Sequence, residues 1–368
     1  MEHMAEEYAN GFDRLDMVDR NDFVRKLTTE ELEERKLREI YGNSKTSNNI
    51  FANIKKKQHE EYQYLNLIEN ILENGTWEEG RNGKTKSIFG ASMRFSLKDG
   101  KIPILTTKKT AWKTCLKELL WFIRGDTDNT ILKKQGVHIW DANGSREFLD
   151  SRGLTDYEVD ELGPIYGYQW RNFNKPYLSN YIQKTKNQEE LSGLRIDDDW
   201  IEKESNQNGI DQLQQIIDAL KDPKQRTSRR LVMTAWNPCQ LDQMALPPCH
   251  ILCQFNVHDG NKLSCALYQR SNDEALGTCF NIASYSFLTH LLAKHCGLEA
   301  YEFVYFKGNC HLYEDHIETI KEQLNREPYP FPTVFIKQVR ENINDYQVED
   351  FEIQNYQHHP QIKFQMIA

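Results

Sequence analysis

Residues 250–269 read HILCQFNVHDGNKLSCALYQ. Two β-rich runs, His250 to Val257 and Lys262 to Gln269, flank Asp259-Gly260. Asp-Gly between such runs is the strongest short-range hairpin signal, so the stretch reads as two antiparallel strands. Outward from it, Arg230 to Trp236, Phe303 to Phe306 and Ser87 to Leu97 read as further strands. Helical spacing appears at Tyr64, Leu65, Ile68, Ile71 and Leu72, stopped by Asn74-Gly75. It returns at Thr114 to Ile123 before Gly125, at Ile210 to Leu220, at Ile282 to His295 before Gly297, and at Asp315 to Leu324. Strands and helices mix without regular βαβ alternation, so the expected class is α+β.

The 368 residues leave room for about two domains on length alone. Apolar residues make up 39% of the chain, which excludes wholesale disorder. The net charge of −9 argues against binding nucleic acid or an acidic membrane through overall charge. No stretch approaches the roughly 18 apolar residues of a membrane span. The polar start, Met1 to Asn10, does not read as a secretory signal. Eight cysteines, none in a CxxC pair, suit a cytoplasmic protein with free thiols. There is no Walker or dinucleotide glycine loop. Residues 1–60 hold 11 basic and 13 acidic residues, and Thr28-Thr29-Glu30-Glu31 reads as a capping box. This segment is expected to be a charged helical extension, either a solvated arm or a docking segment. Residues 61–368 are expected to form the compact domain, with a long polar surface loop at 172–208.

Several side chains invite chemistry. Cys249 follows Leu246-Pro247-Pro248, where two prolines give the thiol a defined direction. A nucleophile needs the thiolate, which nearby cations favour; buried packing is the commoner fate of a cysteine. Arg229-Arg230 and Arg270-Ser271 pair guanidinium forks with hydroxyls, which suits a phosphate dianion. Each taken singly also reads as a surface arginine. Asn281 is either a helix cap or a carboxamide that reads a nucleobase edge. Glu118 sits among Leu119, Leu120 and Trp121, where a carboxyl pKa rises, unless it is a plain helix-surface Glu. His311 and Tyr313 alternate and so share one strand face. His250 and His311 lack a third ligand at metal spacing, so no metal is expected.

In this order the segments resemble the thymidylate synthase family. The resemblance rests on Leu246 to His250, Gln269-Arg270-Ser271, Asp273, Leu276-Gly277 and Phe280-Asn281. It extends to Glu118 to Phe122, Ile139 to Gly144, Gly163 to Gly167, Ser228 to Arg230, Arg326 to Pro328 and Met366 to Ala368. It covers about Glu60 to Ala368. It implies a thymidylate synthase-like fold with the sheet at a homodimer interface. It also implies reductive methylation of dUMP to dTMP by 5,10-methylenetetrahydrofolate, releasing dihydrofolate, with no metal, nucleic acid or membrane required.

By the same resemblance, Cys249 adds to uracil C6. Glu118, Tyr166 and His250 serve the proton transfers with Asn281 and Asp273. Arg81, Arg229, Arg230, Arg270 and Ser271 hold the phosphate, with Arg229 and Arg230 donated by the other subunit. Gln269, Asp273 and Asn281 complete the dUMP site, and His311 and Tyr313 bond the sugar hydroxyl. Ile139, Trp140, Asn143, Asp273, Leu276, Gly277, Phe280 and Tyr313 line the folate site, closed by Ile367 and Ala368. Three departures stand out. The Arg81 loop is short, Cys279 replaces the usual proline and is expected to loosen the following helix, and Asn309 replaces a carboxylate before His311. The nearest rivals are a pyrimidine nucleotide hydroxymethylase, for which Asp in place of Asn281 would mark cytosine, and a silent nucleotide- or RNA-binding protein.

Overall fold

The computed structural model describes residues 59–80, 83–180 and 208–364. The expected arm up to residue 58, Arg81, most of the 172–208 loop, and Met366, Ile367 and Ala368 lie outside the described residues.

In chain order the main elements are α1 (Tyr62–Asn74), β1 (Thr76–Gly80), β2 (Gly83–Ser96), α2 (Trp112–Arg124), α3 (Asn129–Lys133) and α4 (Arg146–Ser151). They continue with α5 (Tyr166–Asn172), α6 (Gln212–Lys221), β3 (Val232–Thr234), β4 (His250–His258), β5 (Lys262–Asp273) and α7 (Gly277–His295). The last are β6 (Glu299–Tyr313), α8 (Ile317–Leu324), β7 (Thr333–Ile336) and β8 (Phe351–Gln354). The main sheet runs β1-β2-β6-β5-β4-β3, and β7 and β8 form a separate pair. This is a mixed α+β sheet: only β5 and β6 run parallel.

The hairpin forms as its pattern dictates. Cys253, Phe255 and Val257 point into the core on alternate positions of β4. Asp259 and Gly260 take the turn with φ of 46° and 82°, a region that suits Gly and tolerates Asp. The expected strand at 230–236 is shorter, only Val232–Thr234, although the Ala235 N–H still donates to the Ile251 carbonyl at 2.8 Å. β6 is longer than expected. It pairs with β2 along one edge and β5 along the other, and its burial does not alternate strictly along the strand.

The α7 crossover joins β5 to β6 and packs against both strands and α2. Sixteen of its 19 residues are buried, as expected of a helix that is apolar on all sides. It starts at Gly277, two residues before Cys279. The Cys279 thiol is buried and donates to the Leu276 carbonyl at 3.0 Å. Among the described residues, no helix is long and apolar enough to cross a membrane.

One ion pair in this core is wholly buried. Lys307 Nζ donates to both Glu274 oxygens at 2.8 and 2.6 Å and to Thr278 Oγ1 at 3.2 Å. It ties β6 to the β5–α7 turn. Lys307→Met leaves the carboxylate unpaired in the core, at a cost of about 3–5 kcal/mol. Lys307→Met with Glu274→Leu should recover most of that loss, and urea unfolding of both variants measures it.

Candidate active site

A cavity of about 390 Å³ opens at one end of β5 and β6. Fifteen of the expected residues line it: Cys249 and His250 beside β4, Gln269, Arg270, Ser271 and Asp273 on β5, Gly277 and Asn281 on α7, His311 and Tyr313 on β6, Glu118 on α2, Tyr166 on α5, and Ile139, Trp140 and Asn143 on the turn after α3. Strand register accounts for much of this. His250 faces Gln269 across the hairpin, and Asp273 faces His311 across the parallel pair. A register shift between His250 and Leu252 interrupts the β4 ladder just after Cys249.

Cys249 is held from two sides. Its carbonyl accepts from Arg270 N at 3.0 Å, and its N–H donates to the Tyr166 hydroxyl at 2.8 Å. Arg270 also grips the segment, with Nε on the Pro248 carbonyl and Nη2 on the Pro247 carbonyl, both at 2.9 Å. An arginine thus anchors the carbonyls of both prolines that precede the thiol. Burial pushes the Cys249 thiol up, against the lowering pulls of Arg270 and Tyr166. The expected cationic depression is present but outweighed within the single chain.

Tyr166 has φ of 23°, a strained value for an aromatic residue. Its neighbour Gly167 explains the tight approach: a Cβ there would stand 2.4 Å from the Phe122 carbonyl oxygen. This contact holds α5 against α2, the helix that carries Glu118.

Glu118 is partly buried on the cavity wall and accepts from Trp140 Nε1 at 2.8 Å. Burial pushes its carboxyl up to about 7, against the lowering effect of that indole. Such a group exchanges protons readily near neutrality. The kcat profile should therefore carry an inflection near pH 7 that Glu118→Gln removes. The stability effect has a fixed sign. The folded carboxyl holds its proton to a higher pH than the unfolded chain does, so the wild type loses stability relative to Glu118→Gln as pH rises from about 4.5 through 7. Paired melting curves across that window check the sign.

Burial drives His250 down to about 3, despite the raising effect of Asn281, so its imidazole is neutral. Asn281 Nδ2 donates to Gln269 Oε1 at 2.9 Å. His311 Nδ1 lies 2.8 Å from Asn309 Oδ1, so an amide fixes the ring. Asp273 Oδ1 accepts from the Ala275 and Leu276 N–H groups at 2.9 and 3.2 Å, turning the chain into α7.

Not every expected residue joins this cavity. Leu276 and Phe280 are half-buried at the start of α7, outside the wall. Arg229 and Arg230 are exposed just before β3, and Arg230 lines a different surface hollow with Lys224 and Ser228. Ala142 and Leu246 line the cavity without having been singled out as site residues. Their place inside two of the quoted motifs was the available signal.

Comparison with known proteins adds an independent line. A family model described as thymidylate synthase matches residues 62–368. The bifunctional dihydrofolate reductase-thymidylate synthase of Plasmodium berghei is 48% identical over 333 residues, 89% of this chain and 52% of that protein. The bifunctional protein of Leishmania major is 46% identical over 312 residues, 84% of this chain and 56% of that protein. Human thymidylate synthase is 46% identical over 309 residues, 84% of this chain and 91% of that protein. The chain thus spans about half the length of the bifunctional relatives it matches.

Proposed function

The chain belongs to the thymidylate synthase family, and from that premise we propose that it converts dUMP to dTMP with 5,10-methylenetetrahydrofolate, releasing dihydrofolate. The observation that carries this reading is the convergence of Cys249, Arg270, Asn281 and the Glu118–Trp140 pair on one cavity.

In this reading, which takes its roles from the family resemblance, each residue has a physical task. Cys249 Sγ adds to uracil C6 and makes C5 a carbon nucleophile; the C6–S bond breaks when product leaves. Arg270 and Ser271 meet the phosphate, and Arg81 joins them in this reading. Asn281 reads the N3–H and O4 edge, and His311 and Tyr313 bond the sugar hydroxyl. Glu118 holds and moves a proton near O4 and C5, with Tyr166 and neutral His250 alongside. The cavity's chemistry fits a flat folate. Ile139 and Trp140 give an apolar face, Asn143 and Asp273 a polar edge, and a Cβ built on Gly277 would meet nothing nearer than 3.8 Å. Leu276 and Phe280 adjoin that wall in this reading, and the resemblance assigns closure of the site to Ile367 and Ala368. Bound methylenetetrahydrofolate supplies the one-carbon unit and then the hydride. Incubation with dUMP and this donor should yield dTMP and dihydrofolate absorbance; a hydroxymethylated product without dihydrofolate would sink the reading.

The same reading makes the enzyme a homodimer joined through its sheet, with residues 61–368 as the catalytic domain and 1–60 as an extension. Val232, Leu252, Tyr268 and Phe306 lie on the outward sheet face and are 37–46% exposed. Leu252, Tyr268 and Phe306 sit in adjacent register. An apolar face of this kind suits a second copy, and Arg229 and Arg230 stand beside it, available to the partner's phosphate site. A mixed-subunit assay tests this. Cys249→Ala and Arg229→Ala/Arg230→Ala are each expected to be nearly inactive. Mixed equally and reassembled, they should recover about a quarter of wild-type activity, because half the dimers are hybrids with one intact site. No recovery refutes donation across the dimer.

A further inference from the structure

Tyr305 lies on β6 behind the cavity, wholly buried and outside its wall. Its hydroxyl stands 2.5 Å from Gln269 Oε1 and 2.7 Å from Asn272 Oδ1. Gln269 Oε1 also accepts from Asn281 Nδ2, while Gln269 Nε2 donates to the Ser271 carbonyl at 2.8 Å.

A carboxamide has a donor end and an acceptor end, and turning it over exchanges them. Uracil presents a donor at N3 and an acceptor at O4; cytosine presents an acceptor at N3 and a donor at N4. An Asn free to turn over would therefore accommodate both bases. Its other partner decides which way it stands. Gln269 shows Asn281 an oxygen and so demands an N–H from it. Gln269 is itself held that way round by two contacts: its Nε2 donates to the Ser271 carbonyl at one end, and at the other Tyr305 places its single hydroxyl proton on Oε1, the shorter of its two contacts.

We propose that Tyr305 is a positioning residue for nucleobase choice. Its hydroxyl locks Gln269 with the acceptor toward Asn281, and Gln269 in turn locks Asn281 in the uracil-reading orientation. This rests on the reading of Asn281 as the base-contacting residue. A plain packing role is the competing account, since the Tyr305 ring lies 5.7 Å from Phe303 and beneath Lys307 Nζ at 4.8 Å. Tyr305→Phe separates the two, because it keeps the ring contacts and deletes only the hydroxyl.

The experiment measures turnover with dUMP, and calorimetric binding of dUMP and dCMP, for wild type and Tyr305→Phe. The variant should raise the KM for dUMP and erode discrimination against dCMP, each about tenfold, with a smaller change in kcat. In an Asn281→Asp background, Tyr305→Phe should not alter discrimination further, because a carboxylate has no turned-over form. Unchanged discrimination in Tyr305→Phe, or a loss that simply adds to that of Asn281→Asp, overturns the proposal and leaves the synthase reading intact. A wild-type protein that neither binds nor methylates dUMP overturns both.

Discussion

Cys249→Ala is expected to abolish thymidylate formation while dUMP still binds. Without Sγ no bond forms at C6, and C5 stays an unactivated alkene carbon. The loss should be at least about 10⁴-fold in kcat, the scale seen when a covalent nucleophile is removed. Nucleotide binding should survive, because the contacts that shape this loop do not use the thiol. Tyr166 meets the Cys249 backbone N–H, and Arg270 holds the carbonyls of Pro247 and Pro248. Dihydrofolate absorbance reads turnover, and calorimetry reads dUMP. Residual activity above about one per cent of wild type would refute the role of Cys249 as nucleophile.

Asn281→Asp should transfer preference from dUMP to dCMP. A carboxylate accepts from the cytosine N4 amino group and repels uracil O4. A site built to hydrogen-bond one edge rejects the wrong edge by orders of magnitude, so dUMP kcat/KM should fall about 10²- to 10⁴-fold while dCMP gains. The change also sets a carboxylate oxygen against Gln269 Oε1, where Asn281 Nδ2 now donates at 2.9 Å. Gln269 cannot turn over cheaply, being pinned by Ser271 and Tyr305, so the variant should melt lower as well. An unaltered dUMP:dCMP ratio would remove Asn281 from base recognition.

The hairpin was legible because its information is local: alternation, then Asp-Gly, then alternation. The Cys249 segment was legible for a similar reason, since two prolines and a cysteine stand together. What stayed hidden depends on partners far along the chain. Glu118 reads as either a surface or a buried carboxyl until Trp140, 22 residues on, is seen to donate to it. The Lys307–Glu274 pair joins residues 33 apart whose charges suggest solvent. The Cys279 contact with the Leu276 carbonyl likewise appears only once the turn is built. β6 was recognised only at Phe303 to Phe306, since Gly308 and Asn309 look like loop residues. The β5 ladder holds Asn309 opposite Ser271, and pairing with β2 carries the strand on to Tyr313.

The strand order also sets a timetable for synthesis. β2 finds its inner neighbour in β6, where Ser96 pairs with Glu302 and Thr85 with Tyr313. A ribosome adding about 5–20 residues per second needs roughly 10–40 s to travel from one to the other. Until then β2 has only β1 beside it, with its inner edge of backbone N–H and C=O groups unpaired. The last strand to join the main sheet carries His311 and Tyr313, so the cavity closes late, after most of the chain has been made. A nascent chain of this design spends its early life in need of protection from its neighbours on the same message.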